Sequence, residues 1–238
     1  MTRIVISQPM FFPWVGLFEQ IRLADTYVHY DDVQFSKGSF TNRVQIKTSR
    51  GVRWLSLPVR VHLGESINQV QLAEEDWRKG HLSFLEQAFE GAPHAVDALD
   101  LVARVYGQNH QKLDEVVMAS MEAVIAYFDL APGQKVLRSS QMGIDGSGWA
   151  RVLAVVKRLE GDVYVTGHGA RNYLDHEAFE REGVSVEYLD YQKLPYAQLH
   201  GEFTPYVSIL DLIANVGTAG REVISSGTKP WRTFLSGT

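Results

Sequence analysis

"ISQPMFFPWVGLFEQIRLADTYVHYDDVQF", residues 6–35, decides how the chain is read. Arg3 to Gln8 is apolar enough for a short buried strand, and Pro9 ends it because proline has no N–H to give a ladder. Trp14 to Ala24 then reads as a helix. Pro13 sits at its first position, where a missing N–H costs nothing, and Val15, Phe18 and Ile21 share one face. Asp25 breaks to a second strand, Thr26 to Tyr30. The order is β–loop–α–β, the unit that usually builds adjacent parallel strands.

Outward from this unit, Val44 to Lys47 and Val52 to Val59 are strand-like runs around Thr48-Ser49-Arg50-Gly51. They predict a hairpin that either continues the sheet or adds an antiparallel flap. From about residue 74 to 128 the pattern turns helical, and Leu113, Val116, Val117, Met121, Val124, Ile125 and Phe128 form a 3.6-residue stripe. Gly143 to Gly148 reads as a loop and Trp149 to Leu159 as a helix. Strand 162–166, the loop "GHGAR", helix 172–182 and a strand through Val184, Val186 and Tyr188 make a second β–loop–α–β unit. Val207 to Asn215 is an apolar helix with Gly217 as its stop. The expected fold class is α/β, a mostly parallel sheet built from β–loop–α–β units with a helical insertion and an antiparallel hairpin. Residues 1–73 and 133–238 are expected to form the α/β ligand-binding core, and 74–132 a helical insertion or subdomain.

Composition narrows the function classes. A net charge of −5 over 238 residues argues against a broad nucleic-acid surface, which needs a basic excess. The chain has no cysteine, which removes disulfides, thiolate–zinc sites and a cysteine nucleophile, and fits a cytoplasmic protein. Residues 1–20 lack the pattern of a secretory signal, and no window of about 18 apolar residues predicts membrane insertion.

In parallel sheets ligands gather beyond the carboxyl ends of strands. Two candidate loops lie there. The first runs from Ser7 to Gly16, with Phe11, Phe12 and Trp14 as either core or the aromatic wall of a pocket; Trp14 or Phe12 is expected to face the ligand. The second, Thr166-Gly167-His168-Gly169-Ala170-Arg171, lets backbone approach a ligand at two glycines and offers Arg171 as an anion clamp. Its competing reading is a tight turn with a surface arginine. His168 is the preferred general acid or base, because histidine exchanges protons near neutral pH. Asp31 and Asp32 follow the second strand and suit a general base, a divalent ion or an amine; capping a turn is the structural alternative. Gln34, Lys37, Asn42 and Arg43 come close behind; Lys37, Arg43 and Lys47 form a basic cluster that suits a diphosphate or an acidic partner, with a solvated edge strand as the competing reading.

"QPMFFPWVGLFEQIRLADTYVHYDDVQFSKGSFTNRVQIKTSRGVRWLSLPV", "YVTGHGARNYLD" and "YAQLHGEFTPYVSILDLIANVG" resemble, in the same order, blocks of the WbqC-like family. The family's recurrent positions fall on Gln8, Pro9, Pro13, Trp14, Gly16, Asp31, Asp32, Gln34, Asn42, Arg43, Gly167, Gly169, Arg171, Tyr173, Tyr196, Gln198 and Asp211. Thr166 stands where a serine is expected, and Lys193-Leu194 where His-Pro is expected. The resemblance implies an enzyme of surface-polysaccharide or specialised-metabolite biosynthesis; some members are named glycine transferases. A weaker similarity, in the order of elements around Pro13-Trp14-Val15-Gly16, is to the HIGH nucleotidyltransferase layout, whose histidines this chain lacks.

What the resemblance implies for activity is transfer of an acyl or aminoacyl group to an amine of a nucleotide-linked amino sugar or related phosphorylated metabolite. Catalysis is assigned to His168, Asp31 and Asp32, with an acyl-CoA, a carrier-bound acyl group or an acyl carrier protein as donor. The alternatives are ATP- and magnesium-dependent adenylyl transfer, and a non-catalytic sugar- or carrier-binding protein.

Overall fold

The computed structural model describes residues 1–73 and 76–237. The expected start of the helical segment at residue 74 therefore lies outside the described residues. The chain opens with β1 (Arg3–Ser7), α1 (Val15–Arg22) and β2 (Thr26–His29). β3 (Arg43–Thr48) and β4 (Gly51–Ser56) form the predicted hairpin, and β5 (Val59–Arg60) pairs with β6 (Gln71–Leu72). Three helices follow, α2 (Trp77–Ala88), α3 (Ala95–Tyr106) and α4 (Leu113–Tyr127). Then come β7 (Lys135–Arg138), α5 (Gly148–Arg158), β8 (Val163–Thr166), α6 (His176–Arg181) and β9 (Ser185–Asp190). The last elements are α7 (Ile209–Val216), β10 (Gly227–Pro230) and α8 (Trp231–Ser236).

The central sheet has the order β10-β9-β8-β1-β2-β7. All pairs are parallel except β10 with β9. The hairpin β3–β4 is a separate two-stranded sheet, so the flap alternative holds and the sheet-extension one does not. Alternate residues of β1 feed opposite layers, as a strand buried on both faces requires. Val5 packs with Phe18 and Ile21 of α1 and with the buried faces of α3, α4 and α7. Ile4 and Ile6 pack on the other side with Val152 and Val155 of α5 and Phe179 of α6. The apolar residues of the helical middle thus share one core with α1 and α7.

Two local corrections concern the opening stretch. α1 starts at Val15 with Trp14 as its N-cap residue, so Pro13 lies just before the cap rather than at the first helical position. Phe11 and Phe12 are both fully buried, which leaves Trp14 as the aromatic that faces out. Phe12 is held at φ 37°, a region that costs a non-glycine residue about 1–3 kcal/mol and persists only where its surroundings fix it. Here its N–H donates to Ser120 Oγ of α4 (3.0 Å), while its carbonyl accepts from Ser208 Oγ at the start of α7 (2.8 Å). The loop between β1 and α1 is therefore pinned from two distant parts of the chain.

Asp31, directly after β2, is fully buried and welds β2 to β7 and α4. Its carboxylate accepts from Arg138 Nε (2.9 Å), Ser140 Oγ (2.7 Å) and Ser140 N (3.0 Å), while its own N–H donates to Ser139 Oγ (3.2 Å). Arg138 also pairs with the buried Asp114. Arg138→Met is expected to leave two buried carboxylates without a cation and cost about 3–5 kcal/mol in urea unfolding. A loss below about 1 kcal/mol would show that this pairing is not what fixes β2 to its neighbours.

Candidate functional site

A cavity of about 940 Å³ opens at the carboxyl edge of the parallel strands. It is fed by Ile6-Ser7-Gln8 at the end of β1, Tyr30, Asp32, Val33 and Gln34 after β2, and Thr166 to Ala170 at the end of β8. Leu189, Tyr191 and Lys193 from the end of β9 and Gly146 to Gly148 at the start of α5 complete most of the rim. β1 lies between β2 and β8, so the chain departs from it in opposite directions and leaves a crevice there. That is the topological switch point at which doubly wound sheets bind ligands.

One wall is aromatic. Trp14 meets Tyr191 edge-on with ring centroids 4.7 Å apart and lies 5.7 Å from Tyr206. Gly16 makes this pose available: a Cβ there would fall 2.2 Å from the indole ring, so the helix start must be bare for Trp14 to lie over it. Opposite, a Cβ on Gly167 would meet Gln20 Nε2 at 2.9 Å, the far end of a side chain that can turn aside. Gly16 is thus the glycine that shapes the aromatic wall.

The floor is polar and internally paired. Arg151 forks onto Asp32, with Nη1 to Oδ1 at 3.0 Å and Nη2 to Oδ2 at 2.5 Å, and Ser139 Oγ donates to Oδ1 at 2.6 Å. Burial works against the Asp32 charge, but the bonds from Arg151 and Ser139 outweigh it and hold the carboxyl below its ordinary range. The Arg151 guanidinium also lies 5.0 Å from the centroid of Tyr30. Burial raises the Tyr30 hydroxyl above its ordinary range, so it stays a protonated donor at neutral pH. Tyr164, Thr166 and Tyr173 line the same cavity, and burial raises both tyrosine hydroxyls above their ordinary range.

His168 lines the same cavity. Its Nε2 lies 2.7 Å from the carbonyl of Leu189, and the ring leans on Phe234 at 4.7 Å. A carbonyl only accepts, so Nε2 must carry the proton, and neutral His168 presents the Nδ1 lone pair.

Of the residues singled out in sequence, Gln8, Trp14, Asp32, Gln34, Thr166, Gly167, His168, Gly169 and Tyr173 line the cavity. Asp31, Phe12, Pro13, Gly16, Lys37, Asn42, Arg43, Arg171, Tyr196 and Gln198 do not. Asp31 and Phe12 are buried fixtures of the fold. Asn42 spends its Nδ2 on the Leu57 carbonyl at 3.1 Å, and Arg43 lies over Trp54 with 4.1 Å to the ring centroid. Lys37 and Arg171 are exposed. Tyr196 and Gln198 belong to a separate, partly buried network: Tyr196 donates to Asp211 Oδ1 (3.0 Å), and Gln198 Oε1 accepts from Lys47 Nζ (3.0 Å). Lys47 Nζ also donates to the carbonyls of Gly201 and Glu202. Among the described residues no group of three or more His, Asp or Glu side chains is placed to hold a metal ion.

Sequence reasoning passed over Arg151, Tyr30, Tyr191, Lys193 and Tyr206. Arg151 pairs with a residue 119 positions away, which no local pattern signals. Lys193 stood out only as a departure from the family's pattern. It is exposed, at φ 52°, with Nζ 5.2 Å from the Tyr206 ring centroid.

These features define a doubly wound α/β protein with an aromatic-walled ligand cavity at its switch point. The chain belongs to the WbqC-like protein family, whose model matches residues 8–223. It is similar to the uncharacterized protein Rv1507c of Mycobacterium tuberculosis, at 31% identity over 221 residues, covering 91% of this chain and 95% of that one. No solved structure matches. Among the described residues no helix is long and apolar enough to cross a membrane.

The Asp211 network gives a pH prediction. Burial is the main cause that raises the Asp211 carboxyl to about 6, against the opposing pull of Tyr196 and Lys47. An unfolded aspartate ionises near about 3.9, so stability falls as pH rises from about 4 to about 6 while the folded group keeps its proton. Asp211→Asn is therefore expected to gain stability over wild type above that window and to match it below. Denaturant midpoints across this range check it; an advantage confined to the acid side contradicts it.

Proposed function

We propose that this protein is a transferase that moves an acyl or aminoacyl group onto the amine of a phosphorylated small molecule, such as a nucleotide-linked amino sugar. The observation that carries the reading is His168: it lines the cavity with Nε2 fixed on the Leu189 carbonyl of β9 and Nδ1 left to accept. An attacking amine must lose a proton as its nitrogen bonds to the acyl carbon, and Nδ1 is the group suited to take it. With no cysteine in the chain, attack is direct on an activated donor such as a thioester, whose carbon–sulfur bond breaks as the amide forms. The first amides of the 3₁₀ turn His168–Asn172 supply donors for the developing oxyanion.

Trp14, Tyr191 and Tyr206 form a surface on which a base or sugar ring stacks. Arg151 is neutralised by Asp32, so Lys193 is the lining cation open to a phosphate. Asp31 and Asp32 receive structural roles here. The adenylyl-transfer alternative asks them to hold magnesium, yet their oxygens are already taken up by Arg138, Arg151, Ser139 and Ser140.

The test is amide formation, read by mass spectrometry, from acyl-CoA and aminoacyl donors with a panel of nucleotide-linked amino sugars. His168→Ala is expected to lower kcat by about 10²–10⁴-fold with KM little changed. Absence of amide from every pair, or a His168→Ala rate equal to wild type, would overturn the assignment.

A further inference from the structure

Charge is distributed very unevenly along this chain. Residues 33–64 contain six basic residues, Lys37, Arg43, Lys47, Arg50, Arg53 and Arg60, and no aspartate or glutamate, although the whole chain carries −5. Lys47 is buried, but Lys37, Arg50 and Arg53 are exposed. Among the described residues none of these three has a carboxylate within ion-pair distance.

The same segment exposes large apolar side chains that a solvated edge does not need. Phe40, Val52 and Trp54 are 41%, 44% and 43% exposed. Phe40 and Trp54 lie 5.6 Å apart, and the Arg43 guanidinium covers the indole at 4.1 Å. Among the described residues β4 pairs with no strand other than β3. Tryptophan and arginine exposed together are the composition of protein-interface hot spots.

The hairpin also adjoins the cavity. The Gln45 carbonyl of β3 accepts from Ser208 N at 2.8 Å, and Ser208 bridges to Trp14, which lines the cavity. Phe11 N donates to the Phe40 carbonyl at 3.2 Å, and the cavity residues Val33 and Gln34 run directly into the segment.

We propose that the β3–β4 hairpin is the docking surface for an acidic carrier protein that presents a thioester-bound acyl group to the neighbouring cavity. The proposal rests on the transferase reading for what is delivered, but not for the docking itself. Charge complementarity selects an acidic partner. A protein suits the patch better than a nucleic acid, because its free cations are few and interleaved with apolar rings, and the rest of the chain repels a polyanion. In the complex the amine attacks the thioester carbon, a C–N bond forms, the C–S bond breaks, and the proton taken by His168 passes to the departing thiolate.

The test measures binding of each purified holo carrier protein encoded in the host genome to the intact chain, to Arg50→Glu/Arg53→Glu and to Trp54→Ala. At least one carrier is expected to bind wild type, more weakly as salt rises, and to lose more than about tenfold in affinity with either variant. Thermal melts confirm that the variants fold. Where amide is formed, the double variant is expected to slow transfer from the acylated carrier and leave transfer from acyl-CoA unchanged. If no carrier binds, if charge reversal has no effect, or if single-stranded RNA or anionic vesicles bind the patch instead, the proposal falls. Docking without amide from any donor would sink the transferase reading alone; amide from acyl-CoA without carrier binding would sink the docking alone.

Discussion

Pairing of β1 with β2 on one side and β8 on the other is the constraint from which the rest of this molecule follows. Parallel neighbours need crossovers, and crossovers in a parallel sheet keep one hand. With β1 in the middle, successive crossovers must cover opposite faces. α1 with the helical middle and α7 builds one layer, and α5 with α6 builds the other. The loops after β1 and β8 then diverge at the same edge, and the space between them cannot be closed by either. A cavity at that point is a consequence of strand order.

What lines the cavity is held by polar pairs that are costly to bury and therefore specific in geometry. Asp32 and Arg151 join the end of β2 to α5, while Asp31 and Arg138 join it to β7. Phe12 sits in strained backbone that hydrogen bonds to Ser120 and Ser208 tie down from two sides. The result is a floor fixed from several directions beneath a rim, at Lys193 and Tyr206, that is exposed. Such a division suits a site in which chemistry is positioned by the fold and ligand identity is chosen at the mouth.

Much of this was legible in residues 6–35, because prolines, the apolar stripe of α1 and the break at Asp25 are local signals. The first β–loop–α–β unit followed from them, and the second from the strand–loop–helix–strand pattern of residues 162–190; the folded chain brings Trp14, Asp32 and His168 to one edge. β7 and β10 were not legible: Lys135 and Val136 are exposed on an edge, and β10 contains Gly227 and Pro230. Their strand character comes from the partner already in place. Asn42, Arg43, Tyr196 and Gln198 lie outside the cavity: Asn42 serves the Leu57 carbonyl, Arg43 covers Trp54, and Tyr196 and Gln198 join the network of Asp211 and Lys47. The site was read too narrowly, because Arg151 acquires meaning only beside Asp32.

Ligand-induced stabilisation with UDP-linked amino sugars, in wild type and Lys193→Glu, tests the central claim that the β1–β8 crevice binds a phosphorylated ring. At a hundredfold its dissociation constant, a ligand that binds only the folded protein adds about 2.7 kcal/mol. A gain of that size is expected in wild type and a much smaller one in the charge-reversed protein. No gain in wild type, or the same gain in both, would contradict it.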